Sequence, residues 1–271
     1  MKNLLYILLF VPLALFGQEN YSLSFDGEVG YVEMSYPIIP NSGDFSISIW
    51  AKAILIDEGL SEIVSQGSSG NSGFYIGYDG AGQMRLGDDW EDTGINFPID
   101  GLWHYYTLTK SISNTMFYID GFLVAIKGSP IGNPEYSDFR IAKQFGEHGE
   151  HFYGLVINLE IWNITLSSQD IQNFMTCPPT VNEDGLVGYW NFNEGSGDTV
   201  YDISGNENHG IINGATYSSD VPEQNCYGCT DNLAVNYDNY AGENDGSCIY
   251  NTYPLEDESF KAYLQTNYPQ T

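Results

Sequence analysis

The chain has 271 residues, with 36 acidic side chains against 8 Lys and Arg and a formal net charge of −28. That balance leaves no basic patch to displace counterions from a nucleic acid or to hold an anionic membrane surface. The 21 Tyr and 30 Gly fit an all-β protein rich in turns, long enough for one large sandwich and an appendage. The acidity itself reads two ways, as solubility or as affinity for Ca²⁺.

Lys2 followed by the apolar run 4–16, too short to span a bilayer, reads as a secretory signal with cleavage after Gly17. No Cys follows that run, so a lipid anchor is not expected, and no later stretch is apolar enough for a membrane helix. Tyr21, Leu23 and Phe25 alternate with Ser22 and Ser24, and Asp26-Gly27 turns the chain. Phe45, Ile47, Ile49 and Ala51 alternate with Ser46, Ser48 and Trp50. Both runs have the period of a half-buried strand. Short strands are expected at 63–65, 74–78 and 84–86, the last leading into the acidic loop GDDWEDTG at 87–94.

The stretch 103–127, WHYYTLTKSISNTMFYIDGFLVAIK, carries the plainest signal in the chain. Asp120-Gly121 suits a type I′ turn, because Gly accepts positive φ without a Cβ clash. The register then places Ile119 opposite Phe122, Tyr118 opposite Leu123 and Phe117 opposite Val124, aromatic against aliphatic. The run 103–110 adds a third strand through the polar turn 111–114. Three such strands cannot cover their own faces, so a second sheet is implied.

Strands at 139–142 and 155–162 follow. Ser167 with Asp170 three residues on has the form of a capping box, which predicts a short helix over 168–175. The strand 187–192 needs a sheet to join. It either closes the same sandwich, with Trp190 facing inward, or opens a second domain. Too few residues follow for a second sandwich, which favours closure.

Cys177, Cys226, Cys229 and Cys248 allow three pairings, and disulfides are the default in an exported chain. Cys226 and Cys229 have CxxC spacing, but no second close pair completes a zinc site. Two-carboxylate glycoside chemistry on such a sandwich uses a strand of the form E-x-D-x-x-E, which is absent; Glu160 stands alone on the late strand. No GxSxG occurs. Of the four His, His104 sits in a strand, His209 in a turn, and His148 with His151 forms a loop pair lacking a third ligand.

Several stretches together resemble the laminin-G-like jelly roll of the concanavalin A-like superfamily, as found in secreted proteins of Bacteroidetes-type bacteria. They are YSLSFDGEVGYVEM (21–34), FSISIWAK (45–52), the WH…DG hairpin and FYGLVINLEIWNITLSSQDI (152–171), and the likeness covers most of 21–218. The segment 185–216 resembles a motif that usually stands at the start of such a domain and here comes last. The resemblance implies an antiparallel two-sheet β-sandwich of jelly-roll type with one short helix, and core positions for Trp50, Trp103, Trp162 and Trp190. Many relatives hold a structural Ca²⁺ through the acid of FDG, here Asp26, and an acid on the late strand, where this chain has Ile157. Asp198, Asp202 and Asn206 offer oxygen ligands in another turn-rich segment. YGCTDNLAVNYDNYAGENDGSCIY (227–250) resembles a short GCTD…NYD…DGSC repeat of large surface proteins, whose two Cys pair with each other. That implies Cys229–Cys248 and leaves Cys177–Cys226.

The expected organisation is a signal at 1–17, a sandwich at 18–225, a cystine-stapled acidic repeat at 226–250, and a tail or the start of a further module at 251–271. The expected function is non-catalytic carbohydrate binding in a secreted or cell-surface adhesin-like protein. Its partners would be a glycan or surface polysaccharide and further modules of a longer chain, with no nucleic acid and no membrane insertion. A structural or protein-binding spacer is the rival reading, and a glycoside hydrolase-associated domain a third. Trp90 is the candidate for stacking on a sugar, because a loop this polar cannot bury it whole. Asp88, Asp89 and Asp92 would accept hydrogen bonds from hydroxyls. The competing reading folds Trp90 over Met84 or Leu86 as a lid.

Overall fold

The structure is a computed structural model that describes residues 20–54, 59–67, 73–87, 93–134, 137–145, 149–181, 183–224, 226–237 and 241–250. The chain order is β1 (Ser22–Asp26), β2 (Tyr31–Met34), β3 (Phe45–Ala53), β4 (Ser61–Gln66), β5 (Phe74–Tyr78), β6 (Met84–Leu86), β7 (His104–Lys110), β8 (Thr115–Ile119) and β9 (Phe122–Lys127). Then come β10 (Phe139–Ile141), β11 (Tyr153–Trp162), α1 (Ser168–Thr176), β12 (Leu186–Trp190), β13 (Thr199–Val200), β14 (Gly210–Asn213), β15 (Thr216–Ser218), β16 (Tyr227–Gly228) and β17 (Glu243–Asn244).

Two antiparallel sheets form the expected sandwich. One runs β15-β1-β11-β3-β7-β8-β9, with β12 also paired to β11; the other runs β13-β14-β2-β10-β4-β5-β6. The apolar alternation puts Leu23, Phe25, Phe45, Ile47 and Ile49 into the space between the sheets, against Val32, Met34, Phe74, Ile76 and Phe139 of the second sheet. Phe45 meets Phe74 edge-on across that space, with ring centroids 5.6 Å apart. β12 joins the main sandwich, and Trp190 is a core residue lying parallel to Phe139 at 6.5 Å. The closing strand therefore belongs to this sandwich.

The hairpin forms as its sequence predicts, with one correction. Asp120 and Gly121 both take positive φ, 51° and 74°, as a type I′ turn requires. Ile119 faces Phe122 and Tyr118 faces Leu123, but Phe117 faces Ala125, because the register slips between Phe117 and Tyr118. Val124 is the extra residue of a β-bulge. A second bulge in β11 lets both Ile157 and Leu159 enter the core; Asn158 takes φ 53° there, and its Oδ1 accepts the Tyr189 hydroxyl at 3.2 Å.

The outer face of the eight-stranded sheet is not the solvated face that the Ser/apolar alternation suggests. Ser46 and Ser48 are as buried as their apolar neighbours. The segment 164–166 crosses that face: Ser46 Oγ donates to Ile164 O at 2.8 Å and accepts Leu166 N–H at 2.9 Å, while Ser48 and Thr107 bond to each other at 3.1 Å. Small hydroxyls suit this layer because each is satisfied locally. The capping box forms as predicted, with Asp170 N–H on Ser167 Oγ and Ser167 N–H on Asp170 Oδ2.

The chain divides into two compact units. The sandwich unit takes in the described residues up to Ile171 and Val181–Pro222; the second takes in Gln172–Thr180 and the described residues from Glu223. The second unit contains both disulfides, Cys177–Cys226 and Cys229–Cys248, and the short parallel pair β16–β17.

Candidate ligand-binding site

Asp88, Asp89, Trp90 and Asp92 lie outside the described residues. The residues on either side of positions 88–92 are described. β6 ends at Leu86, and Thr93 Oγ1 donates to Met84 O at 3.4 Å. Leu86 and Thr93 both line a cleft of about 340 Å³ between the last strand of one sheet and the last hairpin of the other; Thr115, Phe117, Ala125, Ile126, Lys127 and Ile131 complete its wall. That volume lies in the range of small-molecule sites, and the lining is apolar with the hydroxyls of Thr93 and Thr115 and the charged side chain of Lys127. Thr115 Oγ1 is already occupied by Ile131 N–H at 2.9 Å.

Each of the four residues offered as oxygen ligands for a cation is hydrogen-bonded to protein groups. Asp26 Oδ1 accepts three backbone N–H groups, from Glu28 at 3.0 Å and from Val29 and Gly30 at 2.9 Å each. Those bonds, Gly30 foremost, hold its carboxyl down at about 2. Ile157, where the resemblance calls for an acid, is a core residue. Asp202 pins its own loop: Oδ1 takes the N–H groups of Tyr189 and Ser204, and Oδ2 that of Asn208. Asn206 Nδ2 donates to the carbonyls of Leu186 and Val187, and Asp198 accepts from Thr199 Oγ1. Among the described residues, no group of three or more His, Cys, Asp or Glu is placed to hold a metal ion.

The three described histidines, His104, His151 and His209, are bound into the fold. His104 is bracketed by two carboxylates, Nδ1 2.7 Å from Asp120 and Nε2 3.3 Å from Asp100. Asp120 also accepts Tyr105 N–H at 2.9 Å, so the hairpin turn is fastened to β7. His209 Nδ1 accepts Asp202 N–H at 3.1 Å. His151 is buried, which pushes its imidazole toward the neutral form, and His148 lies outside the described residues. Of the four strand Trp, only Trp190 lies wholly in the core, with Trp50 and Trp103 packed at its margin. Trp162 is buried on the outer face beside Glu160, and Trp103 Nε1 donates to Asp220, which also pairs with Lys52 at 2.7 Å.

Two carboxylates, Glu62 and Glu160, are fully buried; Glu160 stands out on its strand in the sequence, and Glu62 does not. Glu62 on β4 and Arg85 on β6 meet across β5, Arg85 Nη1 donating to Glu62 Oε1, both almost wholly buried. Gly77 is the residue of β5 between them in register; a Cβ there would sit 2.5 Å from Glu62 Oε2 and 2.1 Å from Ser61 O. The missing side chain is what lets the pair meet. Burial pushes the Glu62 carboxyl up to about 8, against the downward pull of Arg85. Glu160 lies on the outer face of the other sheet, takes the Tyr105 hydroxyl at 3.2 Å, and is raised well above the carboxylate range by burial. A lone Gly in a strand, flanked in register by opposite charges, is the signal that could have revealed the first pair.

The chain belongs to the laminin-G-like family of the concanavalin A-like lectin/glucanases superfamily, whose pattern matches residues 26–172, more than half of the 271. No curated protein matches it. Among solved structures it is similar to a candidate carbohydrate-binding protein from Bacteroides ovatus, with 16% identity and a TM-score of 0.59 over 74% of this chain and 60% of that one. It is also similar to a heptameric SAP-like pentraxin from Limulus polyphemus, with 16% identity and a TM-score of 0.45 over 60% of this chain and 86% of that one. A third is domain 4 of an extracellular arabinanase from Geobacillus stearothermophilus in complex with arabinotriose, with 18% identity and a TM-score of 0.45 over 56% and 75% of the two chains. At these identities the likeness is one of fold.

Proposed function

We propose that the sandwich is a non-catalytic carbohydrate-binding module of an exported, adhesin-like protein, and that the sugar is held at the cleft beside the loop GDDWEDTG. One observation carries the reading: Leu86, which immediately precedes that loop, and Thr93, within it, both line the cleft. The single Trp of the loop supplies the flat apolar face that a pyranose ring needs, and its three Asp supply acceptors for hydroxyls. The fold shared with the Bacteroides ovatus protein supports the same class. Absence of catalysis is supported by the placement of the two buried Glu. Glu62 and Glu160 stand in different sheets, Glu62 pairing with Arg85 and Glu160 with Tyr105, rather than facing each other across a bond. Two disulfides support an extracellular address. A glycan array with the full chain tests the proposal. Retention of a defined glycan class without release of reducing ends is expected. No retention of any glycan would refute binding, and hydrolysis would refute the non-catalytic part.

A further inference from the structure

β9 is the outermost strand of the eight-stranded sheet. It leaves Phe122, Leu123, Val124 and Ile126 exposed, at 72, 46, 38 and 60%. An outer strand carries a row of unpaired backbone N–H and C=O groups, and exposed apolar side chains beside them invite a further strand. The bulge at Val124 and the charge of Lys127 are devices that keep edges solitary; the four apolar side chains are not.

The charge distribution says which strand fits. A second copy of a chain of −28 is repelled almost everywhere. β15 runs toward Asp220, β12 follows Glu183 and Asp184, β13 lies between Asp198 and Asp202, and β6 leads into Asp88 and Asp89. β9 differs: residues 121–134 contain no acid, and Lys127 ends the strand. The acid at its other end, Asp120, is held in place by His104 and Tyr105 N–H. Two β9 strands laid antiparallel about a two-fold axis bring Lys127 of each copy to the Asp120 end of the other. Opposite charges then meet at both ends, and apolar side chains meet between them.

We propose that β9 is the face through which two copies of this chain pair, edge to edge, as an isologous dimer. Leu123 and Val124 do not line the cleft, whereas Ala125, Ile126 and Lys127 of the same strand do, so the dimer face is separated from the glycan site at the first two positions. Sedimentation velocity of the full chain over a dilution series tests it. A reversible monomer–dimer equilibrium is expected. Val124→Glu and Leu123→Glu each place like charges across the two-fold and should raise the dimer dissociation constant by about tenfold or more. Because both side chains are exposed, the melting temperature should hold in both variants. Lys127→Glu should weaken the dimer as well, more at low salt than at high. A full chain that stays monomeric at every concentration overturns the proposal, as does a dimer that both glutamate variants leave intact. Glycan retention by monomeric Leu123→Glu and Val124→Glu would show that the two functions are separate; Lys127 lines the cleft and is left out of that comparison.

Discussion

In the sandwich unit Trp190, Phe45, Phe74 and Phe139 are fully buried, in a core that draws on both sheets. In the second unit, Pro179, Cys229 and Ala234 are the buried apolar side chains among the described residues, while Leu233, Val235 and Ile249 stand exposed. Its order rests instead on two disulfides, which close loops with sequence separations of 49 and 19. The difference is one of scale. A large sheet pair removes enough apolar surface from water to offset chain entropy, whereas a few dozen residues cannot and need covalent closure.

The harshest way to break the first unit is to remove its closing strands. A fragment of residues 18–177 lacks β12 with Trp190, β14 beside β2 and β15 beside β1. It should show no cooperative thermal transition by calorimetry, and a sharp native-like melt would contradict closure by β12. Next in size is Trp190→Ala, which empties a fully buried site and removes the bond from Trp190 Nε1 to Asn208 O. A loss of about 3–5 kcal/mol is expected from urea unfolding. A loss below about 1 kcal/mol would place Trp190 outside the load of the core.

The second unit is addressed by replacing Cys177 with Cys226, or Cys229 with Cys248, by Ser. Each bridge should contribute about 3–4 kcal/mol to the unit it closes. Removing Cys229–Cys248 should accelerate proteolysis between residues 226 and 250 while the sandwich melts as before; removing Cys177–Cys226, whose loop contains Val181–Pro222, should lower the sandwich melt as well. Equal destabilisation of both units by loss of Cys229–Cys248 would show that they are not separately held.

A smaller effect tests the buried pair within the sandwich. The folded state holds a proton on Glu62 up to about 8, above its ordinary value of 4.5. The stability linked to that proton is present below 4.5 and is lost as the pH rises through about 8. The denaturant midpoint should therefore fall as the pH is raised across this window. Glu62→Gln should make the fall shallower, with Glu160 accounting for the remainder. An unchanged slope would mean that Glu62 is ionised at both ends of the window. The smallest effect on stability is expected from Trp90→Ala, which should remove most glycan affinity and leave the melting temperature nearly unchanged. Survival of binding, or a drop of several degrees, would make that loop structural.

The local devices were legible in the residues. Asp120-Gly121 dictates its turn through the sign of φ, Ser167 and Asp170 cap α1 reciprocally, and Trp190 sits at the inward phase of its strand. Each depends on residues a few positions apart, so spacing alone carries the information. The disulfides were not legible from spacing, since four Cys permit three pairings; Cys229–Cys248 came from the likeness of its segment to a known repeat.

Tertiary structure decided the rest, because it turns on partners far apart in sequence. Ser46 and Ser48 read as a wet face until the segment 164–166 is laid over them. Glu62 carries no sign of burial in its sequence neighbourhood; β4, β5 and β6 bring it to Arg85 across Gly77. The bulges at Val124 and Asn158 shift register by single residues, which the period of two cannot foresee. The cleft exists only because the last strand of one sheet and the last hairpin of the other come together over Leu86 and Phe117. Sequence periodicity specifies which side of a strand is apolar; which neighbour covers the other side is settled only when the sheets have formed.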